Sequence, residues 1–458
     1  MAGIGFELYK ILQKGTLGSI LKVLFLGTVI VAGPWILSVL SMYFIQKYAY
    51  MAISENPVIF TVTIVYLYAF SLIIFGGIHY VFSRYIADMM YIENDEAIPG
   101  ALVTVFYITS LLSLIISLAF LLFNDFSMLK YAGMYRFSLC LLFVSLNLIW
   151  IMLIYIALLK AYNKIFFAYL TGVAISIAGV YFLGQKYGVA GALLGYTLGQ
   201  LAIVLLLLLI AQKSYSVKNF KINREFLSYF KGYKYLFLIG IFFNLGIWSD
   251  KIIYWFVYGK NIAGTLYYYY ADYDLPVFLA FLTMIPSLVY FLVISEPGFH
   301  REYIKFVKNI LEDTLADIEQ NKKKMIASLK RGVNGLVFFQ AVWTLGIMLN
   351  MKEFLRFMGY EFIDVNILNL LMVAVFFHVL SLTFQIFLLY FELRTQAVMS
   401  TVIYFIVNAV FTICLIVSGI SILPGLSYML AAMFSTFYSV FNLVKKAPVI
   451  DFIIFNRR

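Results

Sequence analysis

Val23-Leu24-Phe25-Leu26-Gly27-Thr28-Val29-Ile30-Val31-Ala32-Gly33-Pro34-Trp35-Ile36-Leu37-Ser38-Val39-Leu40-Ser41-Met42-Tyr43 contains no charged side chain. Coiled at 1.5 Å per residue, such a run is long enough to cross the hydrocarbon core of a bilayer. Lys10, Lys14 and Lys22 precede it, as basic residues precede a secretory signal. The run is longer than the apolar part of a signal peptide, and no small-x-small cleavage site comes after it. It reads as a retained first membrane helix.

The same pattern recurs to the end of the chain. Expected spans cover about 23–45, 57–83, 98–123, 137–159, 165–184, 189–211, 235–257, 275–295, 333–350, 366–390, 396–418 and 424–444. The fifth and sixth are separated by a short turn at Gln185-Lys186-Tyr187-Gly188. Ten-residue alternating segments, the mark of a membrane barrel, do not occur. Of 458 residues 64% are hydrophobic and 12% charged. Soluble domains have roughly 45–50% and about 25%, and no water-soluble fold hides so much apolar side chain. The expected fold is an all-α integral membrane protein of twelve transmembrane helices.

Charge sets the orientation. With a cytoplasmic start, 25 of the 33 Lys and Arg fall on the inner side, and positive residues favour the cytoplasm. Both termini are therefore expected there. The net charge of +11 is read as loop charge and not as a nucleic-acid surface. The basic segment 212–234 divides the chain into two six-helix lobes, 1–211 and 235–458. A faint echo relates Ala32-Gly33-Pro34-Trp35 to Leu245-Gly246-Ile247-Trp248, and halves of this kind are common in secondary transporters. In the long inner connection 296–332, Ile304, Val307, Leu311, Leu315 and Ile318 recur at steps of three or four among charges. That is an amphipathic helix, suited to an anionic leaflet or to a docking partner.

Enzyme motifs are missing. No Gly-rich loop ends in Gly-Lys-Ser/Thr, His79, His300 and His378 are too scattered for a metal site, and Cys140 and Cys414 lack redox spacing. No cofactor is expected. The informative residues are polar groups inside apolar spans, which tend to face a cavity and a partner. Asp250 and Lys251, beside Trp248, are either charges on a translocation path or a structural ion pair. Tyr270, Asp272, Tyr273 and Asp274 open the eighth span. They suit sugar rings and hydroxyls, or an interfacial aromatic belt. Trp35 completes the candidate path. Pro34, Pro276 and Pro286 are kink candidates. Arg84 and Glu296 mark either an inner mouth or a headgroup anchor. Asn147, His378, Gln385 and Asn408 read as inter-helix hydrogen bonds.

The opening Met1-Ala2-Gly3-Ile4-Gly5-Phe6-Glu7-Leu8 resembles that of the PelG family, inner-membrane exporters of the Pel exopolysaccharide of biofilms. So do Gly33-Pro34-Trp35, Trp248-Ser249-Asp250-Lys251, and Tyr273-Asp274-Leu275-Pro276-Val277-Phe278-Leu279-Ala280 running into Ile285-Pro286. The resemblance implies the MATE-like fold of the multidrug/oligosaccharidyl-lipid/polysaccharide superfamily, with a central cavity between two lobes. It implies an amino-sugar polymer as cargo. The implied partners are a cytoplasmic glycosyltransferase (the Pel synthase) and membrane proteins of cyclic-di-GMP-sensing and tetratricopeptide type. It supplies no catalytic residues.

The expected function is thus polysaccharide export coupled to synthesis, in contact with polymer and membrane lipid. Two rivals stay open: a cation-coupled small-molecule exporter, and a non-transporting scaffold for the glycosyltransferase.

Overall fold

The computed structural model describes residues 44–455 apart from 54–56, 159–161, 215–221, 263, 311–313 and 420–422, together with scattered residues between 8 and 27. The first expected span, with Pro34 and Trp35, lies almost wholly outside the described residues. From residue 58 onward the regular elements are helices and one small hairpin. The helices begin with α1 (Val58–Tyr91), α2 (Ala97–Leu122), α3 (Ala132–Leu158), α4 (Tyr162–Ser214), α5 (Arg224–Gly232) and α6 (Lys234–Tyr258). Strands β1 (Lys260–Asn261) and β2 (Tyr268–Tyr269) pair antiparallel. Then come α7 (Ala271–Leu282), α8 (Ile285–Tyr290), α9 (Glu296–Asn309), α10 (Leu315–Leu349), α11 (Met351–Met358), α12 (Val365–Tyr390), α13 (Arg394–Val417), α14 (Leu426–Lys446) and α15 (Ile450–Phe455).

Among the described residues ten helices are long and apolar enough to cross a membrane. One of them is two crossings. Gly188 of α4 has φ 60° and ψ −142°, a backbone region that only glycine takes without strain. The reversal sits at that one residue, and Gln185, Lys186 and Tyr187 stay helical instead of forming a turn. The two legs then approach at backbone distance. A Cβ on Gly179 would lie 2.7 Å from Gly195 Cα, and one on Gly199 would lie 2.5 Å from Gly172 O. Small residues permit such close approach, which drives helix association where lipid removes the hydrophobic incentive.

The chain divides into two compact units. One comprises Met1–Val31, Leu245–Tyr254 and Tyr270–Arg458; the other comprises Ala32–Asn244 and Trp255–Tyr269. In the second unit α1 crosses α6 at glycines, where a Cβ on Gly76 would meet Gly240 O at 2.7 Å. Phe60, Phe75, Phe82, Tyr85 and Phe226 are buried in its core. Asn223 ties the basic segment to this core. Its side chain accepts from Phe226 N–H to cap α5 and donates to Tyr85 Oη at 2.8 Å, while its own N–H donates to Thr104 Oγ1 at 2.7 Å.

In the first unit α12, α13 and α14 pack through hydroxyls. Ser435 Oγ lies 2.8 Å from Ser381 Oγ and 2.9 Å from Ser400 Oγ, and Ser400 Oγ lies 2.8 Å from Ser439 Oγ. The stretch Ala271–Lys308 is a broken helix. α7 stops at a Thr283-Met284 turn, α8 restarts with Pro286 in its first turn, Phe291–Ser295 make one π-helical turn, and Pro297 opens α9. Proline has no N–H to donate to the preceding turn, so breaks collect around it. The expected kink at Pro286 is present. Pro276 is accommodated inside α7.

The amphipathic segment 296–332 is helical, and it is divided. α9 continues the broken helix, and α10 begins at Leu315 and runs on as a crossing helix. Thr314 sets the division: its backbone is extended and its Oγ1 accepts from Asp317 N–H. The apolar stripe is therefore shared by two packed helices. Phe299, Phe306 and Met325 are buried, whereas Ile304 and Leu315 are exposed.

Candidate functional site

Asp250 is fully buried and Lys251 is 4% exposed. They lie inside α6, about 12 Å from its Tyr258 end at 1.5 Å per residue. A lone charge at that depth costs several kcal/mol, and each of the two is answered. Lys251 Nζ lies 3.1 Å from Asp250 Oδ1 and donates to Ile247 O at 2.7 Å. Tyr273 of α7 donates its hydroxyl to Asp250 Oδ2 at 2.5 Å. Asn408 of α13 donates to Asp250 Oδ1 at 3.0 Å and to Gly246 O at 2.8 Å. A glycine eases the close passage of α13: a Cβ on Gly246 would meet the Tyr404 ring at 3.0 Å, so the ring would have to give by a few tenths of an ångström.

Aromatic faces surround the ammonium. Lys251 Nζ lies 4.5 Å from the Tyr428 ring centre and 5.8 Å from that of Phe281. A desolvated cation over a ring gains about 2 kcal/mol. Tyr404 Oη lies 2.7 Å from His378 Nδ1, and both rings adjoin Tyr428. Tyr254 meets Tyr273 edge to face at 5.0 Å. One electrically neutral pair thus joins α6, α7, α12, α13 and α14 within a single unit. The arrangement holds a charge pair out of water. Among the described residues no group of three or more His, Cys, Asp and Glu side chains could hold a metal ion.

A family profile described as "PelG: Putative exopolysaccharide Exporter (EPS-E)" matches residues 1–455. The chain belongs to the PelG family. No curated protein matches it in sequence. Its fold is that of MATE transporters of the MOP superfamily. A MATE protein in the bent conformation shares 12% identity over 93% of this chain and 96% of that one, with a TM-score of 0.61. A MOP superfamily transporter from Pyrococcus furiosus shares 13% over 94% and 96%, with a TM-score of 0.61. The MATE transporter ClbM in complex with Rb+ shares 16% over 95% and 97%, with a TM-score of 0.54.

In this PelG-family chain the structure brings together Asp250, Lys251 and Tyr273 of the expected path residues. Tyr270 stands at the edge of the group, its ring centre 6.4 Å from that of Tyr254. Asp272 is exposed at the start of α7, where Asp274 Oδ2 accepts from Tyr270 N–H at 3.3 Å and so caps the helix. Trp248 is half-buried on α6, and Trp35 is outside the described residues. Arg84 pairs with Asp88 at 3.0 Å and stands over the Tyr233 ring. Glu296, 7% exposed, accepts from Tyr390 Oη at 3.1 Å. His378 and Asn408 do bond between helices, and the helices they bond are those of the Asp250 cluster. Sequence reasoning missed Tyr404, Tyr428 and Phe281. A chain with 36 Tyr and 45 Phe gives no signal that singles out three of them.

Proposed function

We propose that this chain exports an exopolysaccharide across the cytoplasmic membrane while a cytoplasmic glycosyltransferase makes it. The observation that carries the reading is the family match over residues 1–455 on a MATE-type fold. The cargo is a Pel-like, amino-sugar-rich polymer of a biofilm matrix, and cyclic-di-GMP-sensing and tetratricopeptide membrane proteins assemble with the exporter. The halves 1–211 and 235–458 act as its two lobes, with both termini cytoplasmic. Asp250, Lys251 and Tyr273 form a closed joint on the path. Trp35, Trp248, Tyr270, Asp272 and Asp274 contact the passing polymer, and Arg84 and Glu296 flank its inner mouth. Each contact is weak enough to release, because tight binding would stall transport.

The test is secreted polymer in cells whose only copy carries Asp250→Asn together with Lys251→Met, which leaves neither charge of the buried pair uncompensated. Secretion is expected to fall while the amount of protein in the membrane stays at the wild-type level. Unchanged secretion removes Asp250 from the path. Co-purification of the full chain with a glycosyltransferase supports coupling to synthesis. Drug efflux in cells that make no polymer replaces this reading with small-molecule export.

A further inference from the structure

The described end of the basic segment, residues 222–234, borders a shallow, open groove. Phe230 of α5 and Phe237 and Leu238 of α6 line a cavity of about 370 Å³, and the fourth lining residue is Lys234. The Phe230 and Phe237 rings meet edge to face at 6.1 Å, which shapes an apolar slot. Lys231 and Lys234 are exposed. No ion pair among the described residues includes either one.

The surroundings say what kind of occupant fits. α5 is held in place by the Asn223 bonds and by buried Phe226. Yet it and its approach turn apolar side chains outward, with Ile222 60% and Leu227 41% exposed beside Arg224 and Lys231. A short helix with basic and apolar residues both exposed suits the headgroup boundary. The slot opens beside the first turns of α6, a helix of membrane-spanning length and hydropathy. Its lining offers an acyl chain no unmatched hydrogen-bonding group, and its single charge is positive. This is also the end that the Lys and Arg bias assigns to the cytoplasmic leaflet, whose lipids attract basic segments.

We propose that this groove binds one anionic phospholipid, with an acyl chain laid against Phe230, Phe237 and Leu238 and the phosphate at Lys231 and Lys234. The site would tie the linker between the halves to the inner leaflet. The full chain, purified with a 1:1 mixture of dioleoylphosphatidylglycerol and dioleoylphosphatidylcholine, is assayed by native mass spectrometry. The wild type should retain phosphatidylglycerol in preference to phosphatidylcholine. Lys231→Gln with Lys234→Gln, at exposed positions that leave the fold intact, should lower that preference about fivefold per lysine. Leu238→Trp, which fills the slot without changing charge, should reduce retention of both lipids. Equal retention of the two lipids by the wild type overturns the proposal, as does a preference unchanged in the double variant. A tightly held protein in place of lipid also overturns it. The assay reads no polymer, so its outcome is independent of whether the chain exports a polysaccharide.

Discussion

The energetics of Asp250 derive from its partners. The carboxylate takes bonds from an ammonium, a phenol and an amide at 3.1, 2.5 and 3.0 Å. Removing one member of a buried ion pair leaves an uncompensated charge and costs about 3–5 kcal/mol, whereas removing both is often close to neutral. Lys251→Met should therefore lower the thermal midpoint of the detergent-purified protein strongly, and Lys251→Met combined with Asp250→Asn should recover most of the loss. Equal loss in the single and double variants would show that the ammonium acts through Tyr428 alone. Tyr273→Phe removes one bond to a charged acceptor, worth about 1.5–3 kcal/mol, and should give a smaller fall in the same measurement. At this scale the sequence exposes Asp250, Lys251, His378 and Asn408, because a polar residue in an apolar run is conspicuous. It does not expose Tyr273 as Asp250's partner over Asp272 or Asp274. Those three share one helical turn, and only packing decides that the tyrosine turns inward while Asp274 caps the helix.

At the scale of elements, the breaks matter more than the spans. The α4 hairpin is closed by backbone approaches that no side chain can enter: a Cβ on Gly195 would lie 2.6 Å from Val180 N. Gly195→Ala must push the two legs apart, and overpacking of this kind costs about 1–3 kcal/mol. Gly133→Ala, with nothing within 4 Å of the added atom, should be neutral. Thermal midpoints of the two variants, measured side by side, check this, and equal midpoints would mean that the legs separate freely. The division of 296–332 is of the same kind. Its apolar steps of three and four are real, but periodicity alone cannot tell one helix from two that share a stripe. The deciding signal is Thr314-Leu315-Ala316-Asp317, a cap with an acid three residues later, and it was legible in the chain. Thr314→Ala should destabilise α10 by about 1 kcal/mol, seen as faster amide exchange at its first turn.

At the scale of the whole molecule, hydropathy alone places nearly every crossing, because lipid forces each backbone group to bond within its own helix. The expected spans at 366–390 and 396–418 appear as Val365–Tyr390 and Arg394–Val417. Errors grow where a helix outruns the membrane, as α10 does by beginning at Leu315 and not near 333. The side on which each loop lies rests on a different physical term, the excess of Lys and Arg, and it is open to direct measurement. Exposed Lys323 and exposed Phe362 lie at opposite ends of α10 and its continuation. One crossing separates them, so they must fall on opposite faces of the membrane. In the orientation proposed above, in which the inner segments hold 25 of the 33 positive residues, the Lys322-Lys323-Lys324 cluster faces the cytoplasm. In a chain with Cys140 and Cys414 changed to Ala, a membrane-impermeant maleimide applied to intact spheroplasts should label Phe362→Cys and leave Lys323→Cys unlabelled until the membrane is opened. The reverse pattern would invert every loop at once. The inner mouth, the lipid groove and the docking side for a glycosyltransferase would then all have to be sought on the other face.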